Sequence, residues 1–211
     1  MGVALSLVLA YLLGSIPFAY LIGRLKGVDI RKVGDRNVGS FNVFRHAGLT
    51  AGITTLVADI GKGALAIVAA KALCGEGLVL FLAGGAAVAG HNWPVFLHFR
   101  GGRGEAVSIG VLLVILPSEA LITLGATVVL LLITRNAILA GVTLFAPLPI
   151  LCWLFNEPTT QLVYSMALPC LVGLTHWLTM RHLPQEAQKE AETFWIAPEA
   201  SREHRHTSHT R

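Results

Sequence analysis

The sequence predicts an all-α, polytopic membrane protein with seven transmembrane helices, two of them short, the amino terminus outside and the carboxyl terminus cytoplasmic. Three observations predict it. Of 211 residues, 54% are hydrophobic and 13% charged, whereas soluble domains carry close to a quarter charged residues. The apolar residues, at a mean hydropathy of +0.67, gather into runs near the 20 residues that one bilayer crossing needs. The basic residues fall on one side of those runs, as the positive-inside rule requires.

Seven apolar segments follow in order: residues 3–22, 49–73, 77–97, 106–116, 119–133, 137–155 and 161–180. The first lacks the basic leader of a signal peptide and continues through Pro17, so it reads as a retained helix. The fourth and fifth meet at Pro117-Ser118, where proline removes a helix hydrogen bond. Together they are long for one crossing, so they read as two short helices. With this split, 14 of the 16 lysines and arginines fall on one side; Lys71 lies opposite and Lys62 within a helix. Residues 1–183 thus form the membrane domain. Residues 184–211 form a charged cytoplasmic tail, in which "EAQKEAE" suits a helix and "EHRHTSHTR", with His204, His206 and His209, suits a solvated end. The three cysteines, Cys74, Cys152 and Cys170, show neither metal-ligand nor disulfide spacing.

Charges inside apolar segments are expensive and face the protein interior. Asp59 and Lys62 lie one helical turn apart in "LVADIGKGALAIV", as a functional pair or a structural ion pair. His91, in "GHNWPVF", reads either as a site residue or as a histidine satisfying a loop carbonyl. Gly84, Gly85 and Gly90 suit close helix packing.

Two loops on the basic side carry the chemistry. Residues 29–48, "DIRKVGDRNVGSFNVFRHAG", hold three glycines, two asparagines and four basic residues, a composition that suits an ordered loop rather than a helix. Asn37, Ser40, Asn42 and Arg45 offer donors to a polyanion beyond what topology demands. In the second loop, "RGGRG", Gly101, Gly102 and Gly104 can present backbone N–H groups as an anion nest at a helix start, beside Arg103. His182 follows the last helix. The pattern is an interfacial phosphate site. The net charge of +4 is explained by topology and requires no nucleic acid partner. No histidine is followed by aspartate at the spacing of the HxxxxD acyltransferases.

These residues resemble the bacterial acyl-phosphate-dependent glycerol-3-phosphate acyltransferases, the PlsY type. The resemblance runs over residues 12–186, through "LGSIPFAYLIGRL", "NVGSFNVFRHAG", "ADIGKG", "GHNWPVFLHFRGGRGEAVSIG" and "RHLP". It implies a seven-helix monomer of the cell inner (plasma) membrane, working in phospholipid biosynthesis. Its reaction would move an acyl chain from acyl phosphate to the sn-1 hydroxyl of glycerol 3-phosphate, giving lysophosphatidic acid. An acyl phosphate is a mixed anhydride and already activated, so neither metal nor cofactor is needed, and the leaving phosphate can take the proton. The resemblance makes Arg45, Arg103 and His182 catalytic. Asn37, Ser40, Asn42, His91, Gly101, Gly102 and Gly104 bind substrate. Cations outnumbering acids around the site would seat the two anionic substrates. The chain also departs from the family. Gly34-Asp35-Arg36-Asn37 stands for G-S-G-N, Arg103 for a lysine, Glu105 for a valine, Ile138 for a serine and Gln185 for an asparagine. Asp35 and Glu105 must be paired, by Arg36 and Arg103, to spare a bound phosphate. Alternatives are a catalytically altered or inactive homologue with another membrane role, and an anion or lipid transporter.

Overall fold

The computed structural model describes residues 2–193, so the histidines of the tail lie outside the described residues. It is all helix, with no strand among those residues. Six stretches are long and apolar enough to cross a membrane. The first, Gly2–Leu25, consists of α1 (Gly2–Ser15) and α2 (Phe18–Leu25), broken where Pro17 cannot donate. α4 (Leu49–Cys74) is unbroken, and α5 (Leu78–Asn92) is prolonged by a 3₁₀ turn, Val95–Leu97. α7 (Pro117–Thr134) starts with proline at its first turn, where the missing N–H costs nothing. The fifth stretch bends at Pro147 into α8 (Ala137–Phe145) and α9 (Leu148–Leu154), a break the apolar pattern hid. α10 (Thr159–Met180) carries Pro169 within it.

α6 (Glu105–Ile115) is one of the two expected short helices, whereas α7, expected to be the other, has 18 residues and is long enough to cross, because Pro117 begins its first turn instead of shortening it. The 11 residues of α6 extend about 16 Å at 1.5 Å per residue, half a hydrocarbon core. It is therefore too short to cross alone, and its separation from α7 at Leu116–Pro117 matches the sequence expectation. Large apolar side chains such as Val8, Leu65, Leu132, Ile133 and Ile150 are exposed on the outer faces, a surface suited to lipid rather than water.

Glycines set the closest helix approaches. α1 packs along α5 and α4, and α4 along α6. A Cβ on Gly14 would strike the Ala87 carbonyl, and one on Gly90 the Tyr11 carbonyl, so α1 and α5 meet backbone to backbone. Gly63 and Gly110 do the same for α4 and α6 against the Val107 and Ile60 carbonyls. Gly84 lies under the Tyr164 hydroxyl, but Gly85 faces open space and takes no part in this packing.

The intramembrane charges form a pin. The Lys62 ammonium lies 2.7 Å from Asp59 Oδ1. It donates to the Ile16 carbonyl at 2.8 Å and meets His91 Nδ1 at 3.0 Å. An ammonium has three protons and no more, so all three are spent. The Ile16 carbonyl sits at the α1–α2 break, Asp59 on α4 and His91 on α5. One side chain therefore ties three elements. With Nδ1 accepting, the imidazole proton sits on Nε2.

The first basic loop is more helical than its glycines and asparagines suggest. Residues Ile30–Lys32 form a 3₁₀ turn capped by Asp29, and Ser40–Ala47 form α3. Val43, fully buried on α3, supplies the packing that overrides local propensity. Asp29 holds Arg31 in a two-pronged ion pair, and that hydrogen bonding draws its carboxyl down to about 2.

The tail begins as part of the fold. α11 (Gln185–Glu192) docks on α3. Arg45 donates from Nε and Nη2 to the Thr193 carbonyl at 3.1 and 2.8 Å, and from Nη2 to the Ala191 carbonyl at 3.4 Å. His46 Nε2 meets Glu190 at 2.8 Å. The His46 hydrogen bond, with the attraction of His46 and Arg45, holds the Glu190 carboxyl below its ordinary value against the opposing effect of burial.

Two outcomes follow from this packing. Lys62→Met leaves Asp59 without a counter-ion and should cost about 3–5 kcal/mol. Thermal unfolding in detergent will register this, and Asp59→Asn added to Lys62→Met should recover part of the loss. Because the Glu190 carboxyl is depressed in the folded chain, its contribution to docking is present above the ordinary glutamate pKa. It is lost as pH falls through the depressed value. Hydrogen exchange of residues 185–193 should accelerate in that acid window. At neutral pH, Glu190→Gln should produce a roughly two- to fivefold acceleration, the size of a half-exposed pair.

Candidate active site

A cavity of about 110 Å³ opens where the two basic loops converge. Asn37, Gly39 and Ser40 line it from the first loop, Arg45 from α3, and Arg103, Gly104, Glu105 and Ala106 from the second. Asp59 and His91 line it from below, and Gly141 and His176 from α8 and α10. Two helices start on its wall: α3 at Ser40 and α6 at Glu105. First-turn N–H groups lack intrahelical partners and carry the positive end of the helix dipole, so both starts favour an anion.

The structure brings Arg45, Arg103, Asn37, Ser40, His91 and Gly104 together, as expected. The remaining site residues are placed differently. Gly101 N–H donates to the Asn92 carbonyl and Gly102 N–H to the His91 carbonyl, both at 3.1 Å. Those donors hold the loop to the end of α5 and are not presented to the cavity. The glycines are needed for space, because a Cβ at 101 would strike the His91 carbonyl and one at 102 His91 Nε2. Asn42 is buried, and its amide donates to the Ile30, Val33 and Asn37 carbonyls at 3.0–3.2 Å. It shapes the first loop from behind rather than facing the cavity. His182 is exposed and accepts from Arg181 Nε at 2.9 Å, and it lines neither this cavity nor the groove described below.

The charge balance also differs from expectation. Two arginines face three acids, Asp35, Asp59 and Glu105, on the wall, so cations are not in surplus. Each acid has a partner. Arg103 Nη2 lies 2.9 Å from Asp35 Oδ2, with both side chains buried. Lys62 holds Asp59. Glu105 Oε1 lies 3.6 Å from His176 Nδ1, not beside Arg103, and Arg36 is exposed. The serine-to-aspartate and lysine-to-arginine departures are thus the two halves of one ion pair between the loops. Burial draws the Arg45 guanidinium below its ordinary pKa, while Asp35 and Glu190 oppose that shift.

Beside the cavity runs an apolar groove of about 710 Å³, lined by Ile138, Val142, Phe145, Met166, Pro169 and Trp177 among others. Glu105, Gly141 and His176 line both spaces, so polar cavity and apolar groove meet at those residues. Sequence reasoning passed over His176, although a histidine within an apolar helix is itself a signal. It also passed over Thr175, whose hydroxyl donates to the Arg103 carbonyl at 3.1 Å and fixes that loop.

The family model described as glycerol-3-phosphate acyltransferase matches residues 4–186. "Glycerol-3-phosphate acyltransferase 4" of Dehalococcoides mccartyi is 45% identical over 179 residues, covering 84% of this chain and 96% of that protein. The Symbiobacterium thermophilum glycerol-3-phosphate acyltransferase is 37% identical over 177 residues, covering 83% and 88%. Among solved structures, the glycerol 3-phosphate form of PlsY, an integral membrane glycerol 3-phosphate acyltransferase, superposes with a TM-score of 0.82 at 31% identity, over 95% of this chain and 99% of that one. Its lysophosphatidic acid form gives 0.77 at 31% identity, over 86% and 91%. With the family model spanning the helical domain and both loops, the chain belongs to the glycerol-3-phosphate acyltransferase family, the PlsY type.

Proposed function

We propose that this chain transfers an acyl group from acyl phosphate to the sn-1 hydroxyl of glycerol 3-phosphate, producing lysophosphatidic acid for phospholipid synthesis. One observation carries the reading: a polar, guanidinium-bearing cavity and an apolar groove share Glu105, Gly141 and His176. An acyl phosphate has a dianionic head and an apolar tail joined at the carbonyl. With the head toward Arg45 and the α3 and α6 starts, and the tail in the groove, the reacting carbonyl lies at the junction. Binding there aligns hydroxyl and carbonyl, and proximity and fixed dipoles supply the rate. No covalent intermediate is required, because the anhydride is already activated.

The cavity belongs on the cytoplasmic side in this reading, since 11 of the 13 lysines and arginines among the described residues lie in segments on its side of the apolar helices. The amino terminus is then outside and α6 counts as a seventh, partial crossing. Residues 1–183 are the catalytic membrane domain of a monomer in the cell inner membrane, with residues 184–211 as its cytoplasmic tail. Arg45 gives Nε and Nη2 to the carbonyls of Ala191 and Thr193, while its buried Nη1 has no hydrogen-bond partner among the described residues and is the donor left for a phosphate, the stronger acceptor.

Purified protein given acyl phosphate and labelled glycerol 3-phosphate should form labelled lysophosphatidate; no product, where another family member works, removes the reading. Arg45→Ala should lower kcat/KM by at least a hundredfold, the order of one lost charge-assisted contact of about 3 kcal/mol. Asp35→Ser, which frees Arg103 from its counter-ion, should lower the KM of an anionic substrate severalfold. An unchanged or raised KM would show that the pair orders the loops rather than competing for phosphate.

A further inference from the structure

Resting on that reading, we propose that His46 and Glu190 are positioning residues: their pair sets α11 so that its carbonyls orient Arg45 for a substrate phosphate. His46 follows Arg45 on α3, and its Nε2 meets Glu190 Oε1 on α11 at 2.8 Å. Neither residue lines the polar cavity or the apolar groove, so any influence on the reaction passes through another group. That group is Arg45, which does line the cavity. Its Nε and Nη2 donate to the Thr193 and Ala191 carbonyls, both within a turn of Glu190. The protons of Nη1 remain, on a buried atom with no hydrogen-bond partner among the described residues.

The choice of carbonyls matters. A carboxylate would orient a guanidinium and offset its charge, as Asp35 does for Arg103 at 2.9 Å. Main-chain carbonyls orient it as neutral dipoles and leave its net charge for a dianion. A side chain already ordered also spares the entropy that binding would otherwise cost. Further contacts hold α11 in place. Gln188 Nε2 donates to the Met180 and Leu183 carbonyls at 3.1 and 2.9 Å, at the end of α10. Thr193 forms an antiparallel bridge with Asn136 at the start of α8. Gly34 of the first loop, at φ +55°, closes over the pair, where a Cβ would strike both His46 Nε2 and Glu190 Oε1. First loop, α3 and α11 therefore meet at this one contact. Without it, Arg45 is correctly oriented for a smaller fraction of the time, and the apparent Kd of its phosphate rises by the inverse of that fraction. Charge alone gives the opposite sign. Glu190 acts on Arg45 through space, so deleting its carboxylate would, by electrostatics, strengthen anion binding.

The test is steady-state kinetics of the full chain in detergent, varying acyl phosphate and glycerol 3-phosphate in turn. Glu190→Leu and His46→Leu should each raise the KM of one of these anions about three- to tenfold, with the other KM and kcat within about twofold of wild type. The affected substrate should be the one whose KM rises most in Arg45→Lys, which keeps the charge but not the fork. His46→Gln, whose amide can still donate to Glu190, should hold that KM within about twofold of wild type. Both KM values unchanged or lowered in Glu190→Leu and His46→Leu overturn the proposal. So does a fall in kcat alone, the mark of lost folded protein, or an equal rise in both KM values. A rise in His46→Gln as large as in His46→Leu overturns it too, because the hydrogen bond is then irrelevant. If Glu190→Leu does not fold, His46→Leu decides alone. Wild-type protein that forms no lysophosphatidate removes the acyltransferase reading and this proposal with it, whereas an active wild type with unaltered KM values in both variants removes only the positioning role.

Discussion

The fold turns on three protons of one ammonium. Lys62 lies among apolar helices, where an unpaired charge costs several kcal/mol, and it is tolerated because each N–H finds an acceptor. Those acceptors are the carbonyl freed at the Pro17 break, the carboxylate one turn away on α4, and the imidazole of His91 on α5. Occupying Nδ1 of His91 directs its Nε2–H toward Gly102, where a Cβ would collide. The position of the second loop is therefore linked to a helix break two elements away. Arg103, Gly104 and the start of α6 reach the cavity wall because the loop before them is hydrogen-bonded to the end of α5.

Charge pairing then decides what the cavity can hold. With Asp35 on Arg103 and Asp59 on Lys62, two of the three acids that would repel a dianion are offset, while Glu105 has only His176 Nδ1 at 3.6 Å beside it. Attraction comes from Arg45 and the two helix starts. Main-chain dipoles are fixed by the fold and need no reorganisation when a substrate binds. They are also indifferent to the substitutions that distinguish this chain from its family, since a helix start at residue 105 presents the same N–H groups whether the side chain is valine or glutamate.

Much of this was legible in the residues. Apolar runs placed the helices, and Pro117 split α6 from α7, because length and a missing N–H act locally. The loops drew attention through Arg45, Arg103, Asn37 and Ser40, which do converge. What escaped detection was non-local. The N–H groups of Gly101 and Gly102 look available in sequence and are spent on α5 carbonyls. Asn42 looks like a substrate donor and instead binds three loop carbonyls. Those partners lie up to 12 residues away and depend on how the loop folds. α3 was hidden by glycine and asparagine content, and only the burial of Val43 reveals why it forms. His176 was passed over because its partner, Glu105, lies 71 positions earlier.

An acyl phosphate hydrolyses if water reaches it, so a site that activates a hydroxyl must discriminate against the smaller one. α11 bears on this through its position. Ala191 lines the polar cavity, Gln188 and Glu192 line the groove, and the carbonyls of Ala191 and Thr193 sit on the Arg45 guanidinium. α11 therefore contributes to the walls of both spaces and to the position of the Arg45 guanidinium. The stretch "EAQKEAE", which suits a helix in sequence, forms one, and its place beside the site depends on partners on α3 that lie more than 140 positions earlier.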